Sequence, residues 1–394
     1  MTEAMSNTTW GFHVFLAVVL TAIMVVVPGC KATCSFPAIF NFGDSNTDTG
    51  GFFAAFPPLV PPYGITYFNK PVGRTTDGRV IVDFLAQGLG LPFLSPYLKS
   101  IGSDYRHGAN FATVSSTVML PHSFPFDSGV SPFSLAIQFN QFKQFKVMVD
   151  EEEKQYHSYD YGNTKLPPKN IFGKALYTFC IGQNDFTLNL TSLGISGVMQ
   201  FLPQVVGQIA KTIKDIYALG GRTFFILNLA PIGCYPGFLV KLPHNASDVD
   251  QFGCLKSYNN AVVHYNNMLK DALRQTRKNL KDANVVYVDT HTILLDLFQH
   301  PTSHGLKFGT KACCGYGGGD YNFNKEVVCG NTKVVNGQKV SAEACEDPYN
   351  YVSWDGFHLT DAANKITAHA IFNGSYFDPP FSLHHFCDIV HPIG

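Results

Sequence analysis

The chain has 394 residues, 45% of them hydrophobic, with 28 Lys and Arg against 29 Asp and Glu for a formal net charge of -1. That composition excludes a disordered polypeptide, and with no dense basic run to grip a phosphate backbone, no nucleic-acid partner is expected. It leaves room for one large α/β domain or two ordinary ones.

The first expected element is a leader. Residues 11–28, GFHVFLAVVLTAIMVVVP, contain no Asp, Glu, Lys or Arg and run into small residues at Gly29, Cys30 and Ala32. They read as a secretory signal peptide over residues 1–32, cleaved between 29 and 35. The segment has no preceding Lys or Arg and is also long enough for an uncleaved anchor; with cleavage, no stable membrane span is expected. Residues 33–394 then form a single secreted domain. N-x-Ser/Thr acceptors at Asn189, Asn245 and Asn373 agree with that route, as do ten cysteines.

Strand-like runs of Ile, Val, Phe and Tyr follow at 37–42, 175–181, 223–229 and 285–288, each closed by a turn with Gly, Asn or Asp. Helical patterns lie at 77–90, 197–221, 248–280 and 360–374, and the polar stretch 150–170 reads as an exposed loop. Strands alternating with helices predict a mostly parallel sheet covered on both faces, with ligands at the carboxyl ends of the strands. The turns Gly43-Asp44-Ser45 and Gly182-Gln183-Asn184-Asp185 follow the first two strands, so both should open on that edge.

Four cysteines, Cys313, Cys314, Cys329 and Cys345, crowd one glycine-rich loop. No CxxC pair occurs, so the loop reads as disulfide-stapled rather than zinc-binding, and no metal is expected. Cys180 lies in an apolar run and is left unpaired, Cys30 departs with the leader, and Cys234 pairs with Cys254 across one loop.

The chemistry gathers in the same turns. A serine hydroxyl is a nucleophile at neutral pH only with a base, an orienting group and oxyanion donors, so Ser45 in FNFGDSNTDTGG needs partners elsewhere. Asp355 and His358, three apart in WDGFHLT, are spaced for the carboxylate to hold the imidazole N–H while the other nitrogen takes the serine proton. Donors for the oxyanion are offered by the backbone N–H groups of Ser45 and Gly108, the latter in GANFA, and by the Asn184 side chain in IGQND. Singly, each has an ordinary reading as turn chemistry. Asp44 and Asp48 read as turn-fixing carboxylates, and no G-x-S-x-G elbow surrounds Ser45.

These four blocks occur in order, and with PPYGITYF, LNLAPIGC and ACCGYGGGDYN they resemble the plant GDSL esterase/lipases of the SGNH hydrolase superfamily, most of all the early-nodulin and acetylesterase-like branch. The resemblance implies a three-layer α/β/α, flavodoxin-like fold with a mostly parallel central sheet. It also implies Ser45 as nucleophile, His358 as base, Asp355 as its partner, Gly108 and Asn184 in the oxyanion hole, and no cofactor. Two departures stand out: Cys180 where relatives commonly carry Asp, and TVSST at 113–117 where they are often richer in glycine. Both bear on pocket shape and leave the catalytic positions occupied. The expected function is secreted hydrolysis of short, acetyl-type esters of sugars or glycosylated metabolites, the partner being a small-molecule or polysaccharide ester. Acyl transfer from the same acyl-enzyme, polar-lipid hydrolysis and a catalytically idle carbohydrate-binding protein are the alternatives. Oligomeric state is left open.

Overall fold

The computed structural model describes residues 36–121, 130–155 and 164–383. The leader expected over residues 1–32, the terminal cysteines and part of the 150–170 stretch lie outside them.

Six strands build the central sheet: β1 (Ile39–Gly43), β2 (Gly108–Asn110), β3 (Leu176–Cys180), β4 (Thr223–Leu227), β5 (Asn284–Val288) and β10 (Phe377–Asp378). Their spatial order is β10-β5-β4-β3-β1-β2. Every pairing is parallel except that of β10 with β5. The four long runs expected from sequence are thus β1, β3, β4 and β5, with ends moved by one or two residues.

Alternation along these strands divides the core between two faces. Phe40, Phe42, Tyr177, Phe179, Phe224 and Ile226 pack against the helices Leu135–Gln155, Leu190–Ala218 and Lys256–Asn279. Ile39, Leu176, Phe225, Leu227, Val286 and Val288 face the helices Ile81–Gly88, Thr290–Gln299 and Asp361–Phe372. This is a three-layer α/β/α architecture with a mostly parallel sheet. Phe42 stacks on Phe111 and Phe179 with ring centroids 5.2 and 5.0 Å apart, so truncating it to Ala would cost about 3–5 kcal/mol.

Two differences from the sequence reading have clear causes. The stretch expected as a loop from residue 150 continues a helix to Gln155, where Lys146, Asp150 and Lys169 form ion pairs that a solvated helix end tolerates. The helix expected from residue 197 begins at Leu190, because the chain turns through Gly194 at φ 62 and helical hydrogen bonding resumes beyond it.

A second, smaller layer covers the late part of the chain. Strands β6 (Phe308–Ala312) and β9 (Tyr351–Ser353) pair in parallel, and β7 (Thr332–Val335) and β8 (Gln338–Ser341) form an antiparallel hairpin. Disulfides Cys313–Cys345 and Cys314–Cys329 staple this region, and Cys234–Cys254 closes the earlier loop as expected. Cys180 is free. Cys313, Cys314 and Cys329 pack in one buried cluster with Trp354 and Tyr63.

Candidate active site

Ser45 stands two residues beyond β1. The turn is tight because Asp44 N–H donates to the Cys180 carbonyl at the end of β3, 3.1 Å away. A Cβ on Gly43 would lie 2.2 Å from Thr47 Oγ1 and 2.8 Å from that same carbonyl, so only glycine lets the chain pass here. Asp44 receives the backbone and side-chain N–H groups of Asn46. Asp48 receives four backbone N–H groups, from Gly50, Gly51, Phe52 and Val114, at 2.6–3.1 Å. Both carboxylates therefore fix the turn around Ser45, as their positions in the sequence implied.

His358 reaches this turn from the opposite end of the chain. Its Nε2 lies 2.9 Å from Ser45 Oγ and its Nδ1 lies 2.7 Å from Asp355 Oδ2. Asp355 Oδ1 accepts the N–H groups of Phe357 and His358, and Oδ2 also accepts the Tyr63 hydroxyl at 3.0 Å. The intervening Gly356 has φ 97, and a Cβ there would come within 2.6 Å of Phe323, so the three-residue spacing closes only with glycine. Trp354 N–H donates to the His358 carbonyl, and Thr360 caps the following helix through its side chain.

Electrostatics matches this geometry. Burial works to raise the Asp355 pKa, but the His358 charge, its hydrogen bond and the two turn N–H groups hold it below the ordinary carboxylate value. Burial works to lower the His358 pKa, yet the Asp355 charge and hydrogen bond, with Asp44 behind, lift it above the ordinary imidazole value. Such a chain can take a proton from Ser45 and keep the resulting imidazolium paired.

Asn184 is also at this edge, one residue into the short helix Gln183–Thr187 that follows β3, the neighbour of β1. Its Nδ2 donates to the Ser116 carbonyl at 2.9 Å, which orients the amide and leaves its second N–H for another acceptor. The Ser45 backbone N–H has no protein partner among the described residues.

Gly108 does not join them. It opens β2, pairs in register with Ile39 and donates its N–H to the Tyr105 carbonyl at 2.9 Å. Five residues of chain lie between its partner Ile39 and Ser45, and glycine is required at 108 because a Cβ would lie 1.9 Å from the Ile39 carbonyl oxygen. The expected oxyanion role of Gly108 is therefore corrected: this glycine permits strand packing at the amino end of the sheet. Ser115, which the sequence reading left unassigned, lies at the carboxyl end of the same β2 connection. It takes φ 58, and its N–H has no protein partner among the described residues. Thr113 and Val114 bind Gly43 and Asp48 on one side, and Ser116 binds Asn184 on the other, so Ser115 sits between the two blocks. The signal was present in the sequence, since 115 lies inside the TVSST stretch that departs from the glycine-rich pattern.

The acceptors Asn245 and Asn373 are on surface connections flanking helices, whereas Asn189 precedes the long helix and donates to the Asp185 carbonyl at 3.4 Å. Among the six aromatic side chains of residues 51–68, Tyr63 is buried against Trp354, Phe52 stacks on Phe56, and the exposed Tyr67 ring has Arg79 4.1 Å over it.

The GDSL-like Lipase/Acylhydrolase family model matches residues 39–371. The chain belongs to that family. It is 61% identical over 371 residues to GDSL esterase/lipase At4g01130 of Arabidopsis thaliana, covering 93% of this chain and 96% of that protein. It is 44% identical to a Hevea brasiliensis protein named Esterase, with 92% of each chain covered. A third relative, named Alpha-L-fucosidase 3 of Arabidopsis thaliana, is 44% identical over 84% of this chain and 89% of its own. Family membership and the esterase relatives make this GDSL protein a carboxylic ester hydrolase.

Proposed function

We propose that this hydrolase works through an acyl-Ser45 intermediate on short, acetyl-type esters of sugars or glycosylated metabolites. The observation that carries the reading is the unbroken hydrogen-bond chain from Ser45 Oγ through His358 to Asp355 at the carboxyl edge of the sheet. Ser45 Oγ attacks the ester carbonyl as His358 Nε2 takes its proton, and Asp355 stabilises the imidazolium that forms. The tetrahedral oxyanion is met by Asn184 Nδ2–H and the N–H groups of Ser45 and Ser115. Collapse expels the alcohol, which receives the proton from His358. Water then gives its proton to His358 and attacks the acyl carbon, releasing the acid and restoring Ser45.

The protein acts after secretion, with residues 1–32 removed, 33–394 forming one domain and glycans at the acceptor asparagines. Support comes from the apolar leader and three disulfides in the described residues, which persist in oxidising compartments.

The relative named a fucosidase raises glycoside hydrolysis as a second chemistry. That reaction uses two carboxyl groups free to flank a glycosidic bond. Asp44 and Asp355 beside Ser45 are buried and held by their own turns, which favours ester cleavage. A panel of p-nitrophenyl esters from acetate to palmitate, with p-nitrophenyl α-L-fucoside alongside, tests the reading on wild type and Ser45→Ala. Acetate and butyrate should turn over best and Ser45→Ala should be inactive. Preference for palmitate would overturn the substrate class, and fucoside turnover independent of Ser45 would overturn the chemistry.

A further inference from the structure

The mechanism leaves one side-chain hydrogen bond to the Asp355 carboxylate unused, that of the Tyr63 hydroxyl. Tyr63 belongs to the PPYG turn, far from the WDGFHLT block in sequence, and its side chain is buried. The turn is fixed around it. Gly64 has φ 77, and a Cβ there would meet the Lys70 carbonyl at 2.1 Å. Gly64 N–H donates to Thr76 and Thr66 N–H to Asp77, while Arg79, from the same loop, binds Asp361 at the start of the helix that follows His358. The Tyr63 ring meets Trp354 edge to face at 6.2 Å, beside both disulfides of the late layer.

We propose that Tyr63 is a positioning residue for the reaction, its O–H holding the Asp355 carboxylate ionised and oriented so that His358 Nε2 stays on Ser45 Oγ. Tyr63 donates to Oδ2, the same oxygen that receives His358 Nδ1–H, whereas the turn N–H groups occupy Oδ1. A carboxylate pinned on Oδ1 alone can still rotate Oδ2 out of the imidazole plane; a second donor on Oδ2 removes that freedom. A buried carboxylate with all its lone pairs met stays charged, and losing a donor leaves part of that charge uncompensated. Burial first, and then Asp355, push the Tyr63 pKa well above its ordinary value, so the phenol remains a donor at every working pH.

The two donors compete for one oxygen, so Tyr63 binds Asp355 more strongly when His358 is neutral. Removing its hydroxyl therefore favours the imidazolium and raises the His358 pKa. The other titratable or charged groups around this pair are Asp44 from the Ser45 turn, Cys180 at the end of β3, Tyr235, and Lys241 over the neighbouring Phe357 ring at 4.6 Å. None of them changes in the test.

The proposal rests on Ser45, His358 and Asp355 forming the catalytic chain, so Ser45→Ala is run in parallel. Tyr63→Phe keeps the ring against Trp354 and deletes only the hydroxyl. With p-nitrophenyl acetate, kcat per folded molecule should fall about tenfold to a hundredfold with KM near wild type, and the acid limb of kcat/KM should move to higher pH. In an Asp355→Asn background, which removes the ionised acceptor, the same substitution should cost much less. A wild-type kcat and pH profile in Tyr63→Phe, or an equal cost with Asp355 and with Asn at that position, would overturn the proposal. So would an activity loss that matches only the unfolded fraction seen by circular dichroism. If Ser45→Ala stayed active, the failure would belong to the catalytic chain instead.

Discussion

Ser45 and His358 meet at 2.9 Å, yet different kinds of structure hold them there. Ser45 follows a strand with all five residues buried between two helical layers, its turn closed by hydrogen bonds to β3 and by Asp48. His358 rides on a turn over the small late layer, where Cys313 N–H and Cys314 N–H donate to the carbonyls of Ser353 and Trp354 and both cysteines are in disulfides. One half of the site is supported by the hydrophobic core, the other by covalent staples. The contrast teaches that the proposed nucleophile and its base can be disturbed separately.

The largest effect comes from deleting the chemistry on either side while leaving its support. Ser45→Ala and His358→Ala should each lower kcat by about 10⁴-fold to 10⁶-fold, since the proposed nucleophile and base would act as one unit. Combining them should cost little more. Circular dichroism and thermal unfolding should stay near wild type, and residual activity above a few per cent in either variant would remove that residue from the chain.

Next in size is the proposed oxyanion site, which belongs to the core-supported half. Asn184→Ala should lower kcat about 10²-fold to 10³-fold with KM little changed, because a donor to the developing charge binds the transition state more tightly than the ester. Ser115→Pro removes the N–H and, because proline cannot adopt φ 58, also rebuilds the turn, so it should cost more than Asn184→Ala, whereas Ser115→Gly keeps the N–H and relieves a left-handed serine, preserving activity. Equal activity in the proline and glycine variants would exclude Ser115 as a donor, and a stability loss without a kcat loss in Asn184→Ala would make that side chain a turn cap only.

The staples are tested by Cys314→Ser/Cys329→Ser. A closed loop of this size, with a sequence separation of 15, contributes up to about 3 kcal/mol. Because β1 to β5 make no use of that bond, activity should be lost on warming before the far-ultraviolet signal of the central sheet. Coincident loss of both would mean that the late layer and the sheet unfold as one, and that the contrast between the two supports is wrong.

What the sequence disclosed follows the same division. Long apolar runs such as 37–42 and 223–229 announce buried strands because both faces of a parallel sheet are covered, and Asp-x-x-His with an intervening glycine announces a local contact. Contacts between distant segments leave no such mark. Tyr63 on Asp355, Arg79 on Asp361 and Ser115 between two blocks each depend on how far apart pieces of chain are brought together. Gly108 departs from its expected role for a related reason. A glycine in a motif suggests close approach to substrate, whereas here the close approach is to the backbone of β1. The 113–117 stretch points to the right place through its composition, but the positive φ of Ser115 requires the folded backbone.

The smallest effect separates stability from turnover by pH. Burial pushes Asp44 and Asp77 up to about 6 and Asp185 up to about 7, overcoming the hydrogen bonds that lower them. A carboxyl whose folded pKa is raised contributes stability that is complete below its unfolded value, near 3.8, and is lost as pH rises through the folded value. His358, raised above 6.5, acts in the same direction, its contribution fading as pH passes its folded pKa. Asp355 and Asp378 are lowered and act oppositely, losing their contribution only as pH falls through their folded values below 3.8, while His291, lowered by burial, favours the neutral side. With Asp48, also raised to about 6, these buried carboxyls make stability fall as pH rises through about 6 to 7. In the proposed mechanism turnover has the opposite demand, because only neutral His358 would accept the Ser45 proton, and its raised pKa delays that form. The melting temperature should therefore be higher at about pH 5 than at about pH 7.5, and kcat/KM lower. In Asp185→Asn, which cannot titrate, the melting temperature should fall less between those two pH values. An unchanged pH dependence in that variant would take Asp185 out of the balance, and a melting temperature that rises together with kcat/KM would reverse its sign.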